Sequence, residues 1–119
     1  MKVIVAGSRE ITEYMLVQLA VARSGFDITE VVSGTAKGVD KLGELWAFEN
    51  DIPVKRFPAD WKKYGKSAGY KRNEQMAEYA DALIAIWDGK SPGTGHMISI
   101  AKMKNIPVYV HFIYDSYTT

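Results

Sequence analysis

Three stretches of this chain combine glycines, hydroxyls and cations in the way anion sites require. Gly7-Ser8-Arg9 offers an unobstructed backbone, a hydroxyl and a forked guanidinium suited to phosphate or carboxylate. Ser33-Gly34-Thr35-Ala36-Lys37-Gly38-Val39-Asp40 holds two glycines, two hydroxyls and a lysine just ahead of a helical pattern. It lacks the glycine spacing and terminal Lys-Ser/Thr of a Walker A loop. Asp88 and Gly89 end a run of six apolar residues, and after Ser91-Pro92 the triplet Gly93-Thr94-Gly95 opens another helix. The free N–H groups of a first helical turn and the positive end of its dipole attract anions. Each stretch also has a plainer reading. Arg9 can be solvated, Asp40 can be a first-turn acid or a ribose acceptor, and Asp88 can cap its loop, bind ribose or orient Arg72.

The fourth stretch is Trp61–Arg72, WKKYGKSAGYKR, with five basic residues and no acid. The chain carries a net charge of only +1, so everything outside this segment is net negative. Trp61, Tyr64 and Tyr70 are interleaved with the cations and suited to stacking on a base. Lys62 and Lys63 read as solvated, whereas Arg72, at a helix start beside Asn73, reads as a ligand group. His96 and His111 have no neighbouring carboxylate and no metal-ligand spacing, so no zinc site is expected. The absence of cysteine removes disulfide and thiolate chemistry.

These loops need strands behind them. Lys2–Ala6 reads as the first strand, followed by a helix capped by Thr12 and stopped by Gly25. Ile28–Ser33 is the second strand, and Val39, Leu42, Gly43 and Trp46 mark a helix running to about Asn50. Pro53–Phe57 is the third strand, Pro58–Gly69 an irregular stretch, and Tyr70–Ala80 a helix. Ala82–Trp87 is a buried fourth strand, Gly93–Lys104 the last helix, and Pro107–Phe112 the fifth strand. Asn50-Asp51-Ile52-Pro53-Val54 and Lys104-Asn105-Ile106-Pro107-Val108 read as one helix-to-strand connection used twice. Alternating strands and helices imply an α/β, Rossmann-like three-layer sandwich on a five-stranded parallel sheet of order 3-2-1-4-5. Ligands of such sheets sit beyond the carboxyl ends of the strands, at the switch point between strands 1 and 4. All the glycine loops fall on that edge.

At 119 residues with 47% apolar content, one domain over residues 1–112 and a tail over 113–119 are expected. The near-neutral charge argues against a chain-wide nucleic-acid coat. No run approaches 18 apolar residues and the first apolar run is too short for a signal peptide, so a cytoplasmic protein without a membrane partner is expected.

IVAGSR, VVSGTAKGVDKLGELWA, FPADWKKYGKSAGYKRNEQMAEYADALIAIWDG and GTGHMI together resemble the SLOG superfamily, closest to its small stand-alone YpsA/YspA-related members. The resemblance spans roughly residues 2–111. It implies a Rossmann-like fold and nucleotides or nucleotide-derived ligands. Relatives include the LOG phosphoribohydrolases, the DNA-processing protein DprA and sensors of NAD-derived signals. LOG enzymes carry Pro-Gly-Gly-x-Gly-Thr-x-x-Glu; alignment on Gly93-Thr94 puts Met97 where the glutamate stands, and Gly93–Lys104 contains no acid. Glycosidic cleavage uses a carboxylate, so no catalytic residue is assigned.

The expectation is therefore a binding protein for an ADP-ribose-like nucleotide derivative, acting as sensor or sequestering protein. The ligand residues are Gly7, Ser8, Arg9, Ser33, Gly34, Thr35, Lys37, Arg72, Asn73, Asp88, Gly93, Thr94 and Gly95, with Trp61 covering the base. No metal or cofactor is expected. A homodimer or higher homo-oligomer is expected, with a LOG-type hydrolase and a single-stranded DNA binder as alternatives.

Overall fold

A computed structural model describes residues 1–113 of the chain. The strands are β1 (Lys2–Gly7), β2 (Glu30–Ser33), β3 (Val54–Arg56), β4 (Ala82–Trp87) and β5 (Val108–Phe112). The helices are α1 (Tyr14–Ser24), α2 (Val39–Glu49), α3 (Trp61–Tyr64), α4 (Ala68–Tyr79) and α5 (Pro92–Met103), with a 3₁₀ turn at Gly65–Ser67 between α3 and α4. All strand pairs are parallel, in the order β3-β2-β1-β4-β5. The expected fold class and strand order hold.

The two central strands explain why the sheet is buried on both faces. Val3 and Val5 of β1 and Ile84 and Ile86 of β4 point to one side, where they meet Val17 and Ala20 of α1 and Val39 and Ala47 of α2. Ile4 and Ala6, with Leu83 and Ala85, point to the other, against Met76 and Ala77 of α4 and Met97, Ile98 and Ala101 of α5. A period-two strand that is apolar on both faces needs helices above and below. Gly43 lets α2 lie close on β1: a Cβ there would stand 2.9 Å from the Val5 side chain.

The repeated connection is real and has a physical cause. Asp51 and Asn105 both adopt positive φ, and the next N–H reaches back five residues, Ile52 to the Ala47 carbonyl at 2.8 Å and Ile106 to that of Ala101 at 3.2 Å. This is a Schellman-type helix stop, with a left-handed residue tolerated by Asp and Asn.

Three local expectations change. Thr12 makes no cap; Glu13 stands at the N-cap of α1 without a side-chain bond. The stretch expected to be irregular folds into α3, capped by Asp60 accepting from the Lys63 N–H at 3.1 Å, and the 3₁₀ turn then leads α4 in two residues early. Ile113 joins the body rather than a tail, since its N–H donates to the Trp87 carbonyl at 2.9 Å and its side chain packs on the core. The rest of the expected tail, 114–119, lies outside the described residues.

β1 ends where it meets β4 most closely. A methyl group on Gly7 would collide with the Ile86 carbonyl and stand 2.7 Å from Val39 Cγ2. The carbonyl belongs to a neighbouring central strand and has no room to retreat. Gly7→Ala is expected to cost about 2 kcal/mol of folding stability, measured by urea denaturation; an unchanged midpoint would refute the packing argument.

Candidate ligand cleft

A cleft of about 430 Å³ opens over the carboxyl ends of β1 and β4. Its walls come from the β1–α1 loop (Gly7 to Glu10), the start of α2 (Ala36, Asp40), Trp61 and Lys66, the start of α4 (Gly69, Tyr70, Arg72, Asn73) and the start of α5 (Ser91 to Thr94), with Met76 and Met97 also lining it. The crossing from β1 to β2 on one side and to β4 on the other creates this crevice, as the strand order requires.

Arg72 is the most constrained cation. It is half-buried; its Nη1 donates to the Gly34 carbonyl and its Nε to Asn73 Oδ1 at 3.2 Å. Asn73 is itself buried and donates from Nδ2 to the Gly93 carbonyl at 3.3 Å. The same Nδ2 lies 3.1 Å from His96 Nδ1. An amide N–H can only donate, so His96 accepts at Nδ1 and, when neutral, carries its hydrogen on Nε2. Burial pushes the His96 pKa below its ordinary value, which favours that neutral ring. Tyr70 stacks on it, ring centroids 4.2 Å apart. Arg72, Asn73 and His96 thus tie the start of α4 to the start of α5.

Ser8 is buried at the opposite corner, its Oγ 2.9 Å from Ser91 Oγ. Ser91 donates to Asp88 Oδ2 at 3.2 Å, so Ser8 must donate to Ser91. Asp88 Oδ1 accepts the N–H groups of Lys90 and Ser91, each at 2.8 Å. These backbone bonds hold the Asp88 carboxyl below its ordinary pKa. Of the three readings open for Asp88, the structure shows the loop cap. Pro92 then opens α5 at its first turn, where the missing N–H costs nothing.

Asp40 is buried (6% exposed), with Oδ2 accepting from the Ala36 N–H at 3.1 Å. Desolvation raises its pKa from 3.8 to about 6, against the opposing pull of that amide, Arg72 and Arg9. Burial also lowers the pKa of Arg72, with Asp40 acting against the shift. The two groups face each other across Gly34: a Cβ there would stand 2.8 Å from both Arg72 Nη1 and Asp40 Oδ2.

The cleft therefore gathers Gly7, Ser8, Arg9, Trp61, Arg72, Asn73, Gly93 and Thr94 from the residues expected to bind ligand. Ser33, Gly34, Thr35, Lys37, Asp88 and Gly95 are not on its lining. The Ser33 hydroxyl is spent on Glu44 Oε2 at 2.6 Å, and Glu44 is also held by Arg56 Nε at 3.0 Å. Thr35 takes a left-handed turn (φ 65°), Lys37 is exposed, and Gly95 makes room for the Trp87 ring. This loop shapes the site through the Gly34 carbonyl that pins Arg72. Sequence reasoning missed Glu10, Ser91 and Lys66; Ser91 was detectable as the hydroxyl residue before a helix-opening proline. No acid lies on α5, and Met97 lines the cleft at the expected glutamate position. Among the described residues no cluster of potential metal ligands occurs and no helix is long and apolar enough to cross a membrane.

Fold and cleft together define a Rossmann-like α/β domain with a cation-bearing crevice at its switch point. The chain belongs to the YspA, cpYpsA-related SLOG family, which it matches over residues 1–64. It is similar in structure to DNA processing protein A (DprA) from Streptococcus pneumoniae, with a TM-score of 0.72 and 18% identity over 92% of this chain. The chain spans about half of that protein, 49% of its length. Comparison with curated proteins gave no match.

Proposed function

We propose that this domain binds a nucleotide-derived small molecule of ADP-ribose type and acts as a sensor or sequestering protein. The observation that carries this reading is the state of Arg72. Two neutral acceptors pin its guanidinium at Nε and Nη1, at the wall of a cleft whose other side is the start of α5. A guanidinium oriented in advance at a desolvated site pays little ordering cost on meeting a ligand oxygen. Arg9 and the first turn of α5 supply the attraction for phosphate. The cleft volume lies within the range of small-molecule sites. Trp61, 55% exposed and on the cleft lining, is the aromatic we assign to cover a base.

Thermal shift and calorimetry with ADP-ribose, NAD, cyclic ADP-ribose isomers and AMP test the proposal; no response to any of them would remove it. Trp61→Ala is expected to weaken the best of these ligands about tenfold, the scale of one base–aromatic stack, without lowering the melting temperature of the free protein. Ligand recovered intact by chromatography after long incubation with stoichiometric protein would support binding without turnover, and released base would support the hydrolase reading.

A homodimer or higher homo-oligomer is part of the proposal. Met15 and Leu19 on α1 and Leu45 and Phe48 on α2 expose large apolar surface on neighbouring helices. Light scattering with Phe48→Glu tests it. A second reading, single-stranded DNA binding, is favoured by Lys62, Lys63, Lys66 and Lys71 grouped with exposed Trp61 and Tyr70. DNA affinity would then fall steeply with salt, and no gel shift at low salt would exclude it.

A further inference from the structure

Asp40 has no place in a site built only for phosphate. Its carboxylate is buried, lines the cleft and stands beside Arg72. A phosphate seated on both would meet a like charge in a poorly solvated place, where repulsion is strong. A pair of neighbouring hydroxyls would not. A hydroxyl donates one hydrogen and accepts at its oxygen, so it can give to a carboxylate while taking from a guanidinium.

The placement suits that use. Arg72 Nη1 and Asp40 Oδ2 flank the bare α-carbon of Gly34, where any side chain would stand 2.8 Å from each. Arg72 has Nε and Nη1 occupied by Asn73 and Gly34, which leaves Nη2 for a ligand. Asp40 has one oxygen engaged by the Ala36 amide. The charged groups acting on Asp40 are Arg72 from α4, Arg9 from the β1–α1 loop and Glu44 from its own helix.

We propose that Asp40 and Arg72 together read the vicinal diol of a ribose, so that the cleft selects ribonucleotide-derived ligands over their 2′-deoxy counterparts. This rests on the small-molecule reading above and deepens it. Phosphate is then left to Arg9 and the first turn of α5, which also line the cleft. The competing role for Asp40 is purely structural, closing the turn at Ala36, and an asparagine can do that equally well through its amide oxygen.

The test is calorimetric titration of the wild type and Asp40→Asn with AMP, ADP-ribose, 2′-dAMP and 2′-deoxy-ADP-ribose. The wild type is expected to bind the ribose forms at least tenfold more tightly, because the deoxy forms leave a buried charged acceptor unpaired. Asp40→Asn is expected to erase most of that preference while melting no lower than the wild type. The preference is also expected to shrink as the pH falls through about 6, since hydroxyl donors favour the ionised carboxylate and protonation removes it. Equal affinity of the wild type for ribose and deoxyribose forms overturns the diol assignment and leaves small-molecule binding standing. Failure of AMP and ADP-ribose alike to bind overturns both. A ribose preference that survives unchanged in Asp40→Asn also overturns the assignment.

Discussion

Arg72→Ala is expected to weaken ADP-ribose binding about a hundredfold, equivalent to about 3 kcal/mol. The magnitude follows from what the substitution removes: a half-buried guanidinium fixed in place at the cleft wall by Gly34 and Asn73. Arg72→Lys keeps the charge but cannot reproduce the two bonds at once, so a smaller loss, about tenfold, is expected. The alanine variant carries an independent signature. Arg72 is one of the groups that pull the Asp40 pKa down, so its removal is expected to raise that pKa. Carboxyl titration by NMR reads this without any ligand. A variant that binds ADP-ribose as the wild type does would refute the assigned role of Arg72.

The second large effect concerns stability, and its sign is opposite to that of most substitutions at a site. The Asp40 carboxyl ionises near 3.8 in the unfolded chain and near 6 in the folded one. Below 3.8 both states are protonated and folding pays no penalty. Between the two values the unfolded state ionises first, and above 6 the folded state carries a buried charge that costs about 3 kcal/mol. Asp40→Asn should therefore stabilise the protein by up to about 3 kcal/mol at pH 8 and have little effect near pH 3.5. Urea unfolding at the two pH values measures this. Equal effects at both would show that the carboxylate is not strained by burial. A stabilising substitution that impairs ligand selection is the trade expected of a residue kept for function.

Much of the sheet was readable because its signals are local. β4 is a clean apolar run bounded by Asp81 and Asp88, and β1 ends in a glycine that the β4 backbone and the Val39 side chain explain. Gly25 and the two Ile-Pro connections end their helices by short-range rules that hold in the structure. α3 was not readable: four residues are too few to show a helical period, and Gly65 interrupts the pattern at once. Within the site, Arg72 and Asn73 were recognisable by type and by their place at a helix start. The fate of the Ser33–Lys37 loop was not. Its composition is that of a phosphate loop, yet Ser33 is satisfied by Glu44, on the following helix and itself anchored by β3. Asp88 and Asp40 were equally ambiguous as letters. One is exposed and saturated by amides of its own loop, the other buried beside a guanidinium. Burial separates them, and burial depends on the whole fold.

The pairing of β1 with β4 has a consequence for how the protein comes into being. Val3 lies opposite Ala82 and Gly7 opposite Ile86, so β1 is completed by a strand synthesised much later. Until β4 emerges, the β1–α1 loop has no facing wall, and Ser8 has no Ser91 to meet. A nascent chain stalled before β4 has the residues of β1, β2 and β3 but no cleft. Ligand added during translation could therefore act only after α5 has been made, rewarding completion of the fold without guiding its early steps.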